Sequence, residues 1–132
     1  MPQPTAADLA QVPLLAELPQ ETLETLASRF EAEDHGAGHR VVTEGTPGYA
    51  FYIVSSGALT VTQEGRVLRT LGPRDFFGEI SILGEGVRTA TVTADEPSEV
   101  WVLFGTSFRS LQVARPDVAA ALERVMDDRL SS

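Results

Sequence analysis

Gly78, Glu79 and Arg88 fall within one stretch, Leu71 to Val92, with Arg88 nine positions beyond Glu79. A glycine lets the backbone come close to a ligand, and Glu79 to Leu83 is long enough for about one turn of helix, whose unpaired N–H groups suit an anion. The planar guanidinium of Arg88 offers a fork of donors that fits a phosphate, while the Glu79 carboxylate can accept from sugar hydroxyls. A ligand carrying one phosphate and a ribose hydroxyl satisfies all three groups, and no metal is required. The chain has ten Lys plus Arg against nineteen Asp plus Glu, a net charge of −9, so a small anion needs a locally positive pocket of this kind.

Other groups carry less chemistry. His35 and His39 lie four apart near Glu33 and Asp34, but the sequence holds no third histidine, and Gly36 and Gly38 mark a loop, so no metal site is expected. Trp101, Phe76 and Phe77 have rings suited to stacking on a base, yet aromatics in strands and beside turns belong to the core. Cysteine is absent, all ten basic residues are arginine, and no Ser/His/Asp set or carboxylate pair stands out, so no catalysis is expected. Asp127 and Asp128 read as a solvated helix face, on the side that the helix dipole disfavours.

The elements that must position the central segment follow from periodicity. Apolar residues from Thr5 to Phe30 recur at helical spacing and are interrupted by Pro13 and Pro19, which predicts two short helices. The second starts just after Pro19, with Glu21 and Glu24 early, and runs to about Phe30. Short β-branched or aromatic runs then alternate with Gly and Pro, predicting strands at His39–Thr43, Ala50–Ser55, Ala58–Gln63, Val67–Leu71, Thr89–Ala94 and Glu99–Phe104. Turns fall at Gly45-Thr46-Pro47-Gly48, Ser56-Gly57, Glu64-Gly65 and Asp95-Glu96-Pro97. After Phe104 a helix capped by Thr106 or Ser107 runs to about Val113, and Pro116 opens a last helix with Val118, Leu122, Val125 and Met126 as one stripe. Either the sheet or a second copy of the helix can cover that stripe. Many short strands without long crossover helices predict a mainly β, jelly-roll-like fold flanked by helices.

At 132 residues and 42% hydrophobic residues, the chain fits one domain that needs neither disulfide nor metal. No apolar stretch is long enough to span a bilayer, and no export signal is visible at the N-terminus, which fits a cytoplasmic protein. Its acidic balance argues against nucleic acid as a partner for this chain alone.

The stretch Phe77-Gly78-Glu79-Ile80-Ser81 through Arg88-Thr89-Ala90-Thr91-Val92 resembles the phosphate-binding cassette of the cyclic nucleotide-binding domain family. Gly45, Gly48 and Tyr52-Ile53-Val54-Ser55-Ser56-Gly57 resemble its early-strand glycine pattern, and Arg115-Pro116-Asp117 the start of its last helix. The resemblance implies an eight-stranded β-roll: N-terminal helices over 1–30, the roll over 31–104 with its cassette at 77–92, and two C-terminal helices over 105–132, as one domain. It implies that Arg88 pairs with the exocyclic phosphate oxygens and that Glu79 accepts from the ribose 2′-hydroxyl. The cassette at Phe77, Gly78, Ile80 and Ser81 would wrap the sugar-phosphate, with Thr89 and Ala90 beside the phosphate or base. Family members with a hydroxyl residue after the arginine use it to favour guanine in the syn form. Thr89 at that position keeps cyclic GMP as the alternative, and cyclic AMP is the expected ligand. Arg74 departs from the pattern, standing where many relatives have glycine before the aspartate-aromatic pair. No base-capping side chain is identifiable near Leu130, and no DNA-binding, kinase, channel or acetyltransferase segment occurs in these 132 residues. Both a free-standing sensor and the sensor portion of a larger protein fit.

The expected function is thus a regulatory sensor, not an enzyme, that converts occupancy into movement of the helices after Phe104. The alternative is a β-roll that binds no nucleotide and acts as an interaction or dimerisation module. A homodimer through the last helix, or an effector domain or protein, is the expected macromolecular partner; no membrane partner and no cofactor other than the nucleotide ligand is expected.

Overall fold

Described residues of the computed structural model are 3–46, 50–78 and 88–131. Thr5 starts α1 (Ala6–Ala10) with a capping box: its hydroxyl accepts from the Asp8 N–H at 3.1 Å and its own N–H donates to the Asp8 carboxylate at 2.9 Å. Pro19 immediately precedes α2 (Gln20–Ala27). This helix stops short of the expected Phe30, because Phe30 instead turns into the sheet and buries its ring edge-on against Phe51 at 6.2 Å.

Eight strands follow among the described residues: β1 (Glu31–His35), β2 (Arg40–Val42), β3 (Ala50–Ser56), β4 (Leu59–Gln63), β5 (Arg66–Leu71), β6 (Phe76–Phe77), β7 (Thr91–Ala94) and β8 (Ser98–Phe104). They make two antiparallel four-stranded sheets, ordered β1-β8-β3-β6 and β2-β7-β4-β5. This is the β-roll expected from the resemblance. Two strands have no signature in the periodicity. β1 is acidic and poor in strand formers, yet it pairs along its whole length with β8, from Glu31 opposite Val102 to His35 opposite Ser98; cross-strand pairing here outweighs local preference. β6 is only two residues long and is defined by its pairing to β3. The strand predicted from Thr89 begins instead at Thr91.

Alternation along β3 makes it a shared wall. Ala50, Tyr52 and Val54 face the interior of the roll with Leu59, Val61, Leu71, Phe77, Val92, Val100 and Val102. Phe51 and Ile53 face outward into a second core with Leu23, Leu26, Phe30, Leu103 and the C-terminal helices. Those helices are α3 (Gly105–Ala114) and α4 (Pro116–Ser131). Phe104 occupies the position before α3 without a side-chain cap, so the predicted cap at Thr106 or Ser107 is displaced into the helix by two or three residues. Val118, Leu122 and Met126 of α4 are buried in this outer core, which answers what covers the stripe: the chain's own N-terminal helices, sheet and α3. Arg115, between α3 and α4, ties their junction to α2 through Glu21 at 3.0 Å and binds Asp117 at 3.1 Å, and this holds the Asp117 carboxyl below the usual aspartate range.

The Arg74 departure shows in the backbone. Its φ is +76°, a left-handed conformation that costs a residue with a side chain about 1–2 kcal/mol. The turn is held by an N–H of Arg74 donating to Val54 at 2.8 Å, an N–H of Val54 donating to Asp75 at 2.8 Å, and the Asp75 carboxylate accepting from Gly72 at 2.8 Å. Arg74 therefore performs a glycine's task with an arginine, its guanidinium reaching Gln11 at 3.1 Å on the surface. Arg74→Gly relieves the strain, partly offset by greater freedom of the unfolded chain, for an expected gain of about 0.5 kcal/mol in denaturant unfolding. The β-branched Arg74→Val is expected to lose about 1 kcal/mol or more in the same assay.

Candidate functional site

The site is built on the inner face of β3. Arg88, just ahead of β7, is only 7% exposed. Its main chain is pinned on both sides: the Gly45 N–H donates to its carbonyl at 2.9 Å and its own N–H donates to Thr46 at 2.9 Å. The guanidinium Nη1 donates to the Ala50 carbonyl at 3.3 Å, and the Cζ lies 5.4 Å from the centroid of the Tyr52 ring. Burial pulls the Arg88 pKa down, with the Tyr52 phenol partly opposing; burial also pushes Tyr52 up, with Arg88 opposing. Arginine nonetheless remains a cation at neutral pH. A positive charge is thus held inside the wall of a protein whose net charge is −9.

Gly78 follows β6 and explains how the arginine fits. Its φ is +85°, and a Cβ at this position would lie 2.6 Å from the Ala50 carbonyl oxygen and 2.9 Å from the Arg88 Nη1. The sequence predicts a close approach of this glycine to a ligand; what the structure shows is its close approach to the arginine and to the Ala50 carbonyl. Phe77, directly before it, stacks on Tyr52 with centroids 4.6 Å apart and planes 4° apart, and is 5% exposed. Its side chain is part of the roll's core. Phe76 turns to the other core and meets Phe51 at 5.9 Å, and Trp101 packs against that same core.

Thr89 is exposed in a bend, with its carbonyl accepting from the Gln63 side chain at 3.0 Å, and Ala90 packs half-buried against the inner core. Glu79, Ile80 and Ser81 of the expected site lie outside the described residues, as do Ile82 and Leu83. The fold thus gathers Phe77, Gly78 and Arg88 around Ala50 and Tyr52, two residues not singled out as site-formers. Their signal was the alternation of Ala50, Tyr52 and Val54 along one strand face.

The histidines form a separate feature. His35 and His39 stack at 4.9 Å with their Nδ1 atoms 2.7 Å apart, and His35 Nε2 lies 3.1 Å from Glu33. Among the described residues no three His, Asp or Glu side chains converge as a metal-holding group, and no helix is long and apolar enough to cross a membrane.

Residues 33–114 match the family model described as the cyclic nucleotide-binding domain, a span that contains β3, β6, Gly78, Arg88 and α3. The chain belongs to this family. It is 36% identical over 110 residues to the cGMP-dependent protein kinase egl-4 of Caenorhabditis briggsae, covering 78% of this chain and 15% of the kinase. It is 31% identical over 127 residues to the CRP-like cAMP-activated global transcriptional regulator of Mycobacterium tuberculosis, covering 92% of this chain and 57% of the regulator. Among solved structures, the N-terminal domain of a transcriptional regulator from Streptomyces coelicolor superposes with a TM-score of 0.80 at 31% identity, over 94% of this chain and 90% of that one. This cyclic nucleotide-binding domain therefore spans only part of either curated relative.

Proposed function

We propose that the chain is a sensor for cyclic AMP. Arg88 holds the exocyclic phosphate oxygens, Glu79 accepts from the ribose 2′-hydroxyl, and the backbone of Gly78, Ile80 and Ser81 wraps the sugar-phosphate, with Thr89 and Ala90 beside it. The observation that carries this reading is a guanidinium 7% exposed in the wall of the roll, with a glycine backing onto it that no other residue type can replace without collision. A buried cation of this kind favours an anionic ligand, and a phosphate meets its geometry in two parallel bonds. Cyclic AMP is preferred over cyclic GMP because the longer of the two matches, 92% of the chain, is to a regulator named as cAMP-activated.

The output runs through β3. Its inner residues Ala50 and Tyr52 touch Arg88 and Gly78, while its outer residues Phe51 and Ile53 pack in the same core as Phe108 and Leu111 of α3 and Leu122 of α4. A ligand that repositions the inner face selects among packings of these helices, provided it binds one of them more tightly. A difference of about 2 kcal/mol is ample for regulation. The interaction-module reading loses its most direct surface, since the apolar stripe of α4 is already covered within the chain.

Calorimetric titration of the folded chain with cyclic AMP and cyclic GMP tests this. Saturable binding of cyclic AMP, tighter than cyclic GMP, is expected. Tighter binding of cyclic GMP overturns the choice of base, and no heat with either nucleotide overturns the sensor reading.

A further inference from the structure

The backbone just beyond Arg88 is held from outside the cassette. The β4–β7 ladder runs from Leu59 opposite Ala94 to Thr62 opposite Thr91 and ends there. One residue later along β4, the exposed Gln63 continues the connection with its side chain, whose Nε2 donates to the Thr89 carbonyl at 3.0 Å. The neighbouring hairpin turn is anchored as well. The Glu64 N–H donates to the Glu44 carboxylate at 3.1 Å, and the Thr91 hydroxyl donates to that carboxylate at 3.3 Å while accepting from the Glu44 N–H at 3.0 Å. The β4–β5 turn, the loop around Glu44 and residues 88–91 are thereby joined, and Thr89 is pinned from both directions: through the Arg88 main chain and through Gln63.

We infer that Gln63 is a positioning residue for base selection, which by holding the Thr89 carbonyl fixes the hydroxyl-bearing residue beside Arg88 and so supports whatever affinity the site has for cyclic GMP. The inference rests on the sensor reading above. Its physical content is specific to a donor at position 63: the Thr89 carbonyl needs an N–H, which leucine and glutamate cannot supply and lysine can. Both Gln63 and Thr89 are exposed, so exchanging the side chain leaves the cores intact.

The test compares affinities for cyclic AMP and cyclic GMP in the wild-type chain and in Gln63→Leu, Gln63→Lys and Arg88→Ala, with thermal unfolding of each nucleotide-free variant. Loss of one neutral hydrogen bond is expected to weaken cyclic GMP roughly 3–10-fold in Gln63→Leu and cyclic AMP less than about 2-fold, with an unchanged melting temperature and the wild-type ratio restored in Gln63→Lys. An unchanged ratio in Gln63→Leu overturns the inference, as does an equal loss for both nucleotides or a failure of lysine to restore the ratio. If the wild-type chain binds neither nucleotide, the sensor reading itself falls and this inference with it. If the wild-type chain binds, Arg88→Ala does not, and Gln63→Leu behaves as wild type, the inference on Gln63 alone falls.

Discussion

Arg88→Ala is expected to weaken cyclic nucleotide binding by about 100-fold or more, equivalent to about 2.7 kcal/mol, with the folded state retained. The expectation follows from where the charge sits. Water screens a surface arginine, and its ion pairs contribute little; Arg88 is 7% exposed, so a phosphate bound to it exchanges bonds in a medium of low dielectric. Its position leaves little room for substitution, because its main chain is fixed by Gly45 and Thr46 and its guanidinium is oriented by the Ala50 carbonyl and the Tyr52 ring. Arg88→Lys separates charge from shape. It keeps a cation but loses the planar fork, and an intermediate loss of roughly 10-fold is expected. Calorimetry on the two variants checks both values; near-wild-type affinity in Arg88→Ala would remove Arg88 from the site.

Gly78→Ala is expected to damage fold and site together. The added methyl carbon would meet the Ala50 oxygen at 2.6 Å and the Arg88 Nη1 at 2.9 Å, and these are the acceptor and donor of one hydrogen bond, 3.3 Å long. Alanine also has to adopt a φ of +85°. Backbone strain costs about 1 kcal/mol, and overpacking against a main-chain carbonyl that is part of a sheet adds about 1–3 kcal/mol. A net destabilisation of about 3 kcal/mol, near 10 °C in melting temperature for a domain of this size, should accompany a large loss of nucleotide affinity. Gly65→Ala is the control. Its φ is +80° but nothing lies within 4 Å of the added carbon, so only the conformational part, about 1 kcal/mol, is expected there and binding should be unaffected. Equal destabilisation by the two substitutions would show that Gly78 is a turn glycine and not a spacer for the arginine.

Much of the architecture was legible from residue order. The change from helical spacing before Phe30 to short punctuated strands, and back to helical spacing after Phe104, follows from local periodicity, which is a property of neighbours along the chain. Six strands carried β-branched or aromatic alternation. The two that did not, Glu31–His35 and Phe76–Phe77, exist because β8 and β3 lie beside them, and no local pattern encodes a neighbour supplied from more than twenty residues away. Thr89 shows the converse case: it looks like the beginning of a strand, but its carbonyl bonds to a side chain rather than to a ladder.

The candidate site divides along the same line. Glycine, carboxylate and arginine in that order were enough to suggest a phosphate-bearing ligand, because residue type alone sets which donors and acceptors are on offer. The environment of the arginine was not readable in that way. A formula of −9 net charge says nothing about where a single cation is buried. Ala50, Tyr52, Gly78 and Arg88 meet only when β3 pairs with β6 and Gly45 and Thr46 clamp Arg88 ahead of β7. Likewise, the apolar stripe of α4 was evident from its spacing, whereas its cover was not, since a helix face reports that it must be buried but not by what. Residue types and local periods settle which elements form and which chemistry is on offer; burial, alignment and the pairing of distant groups arise only when long-range contacts close the chain on itself.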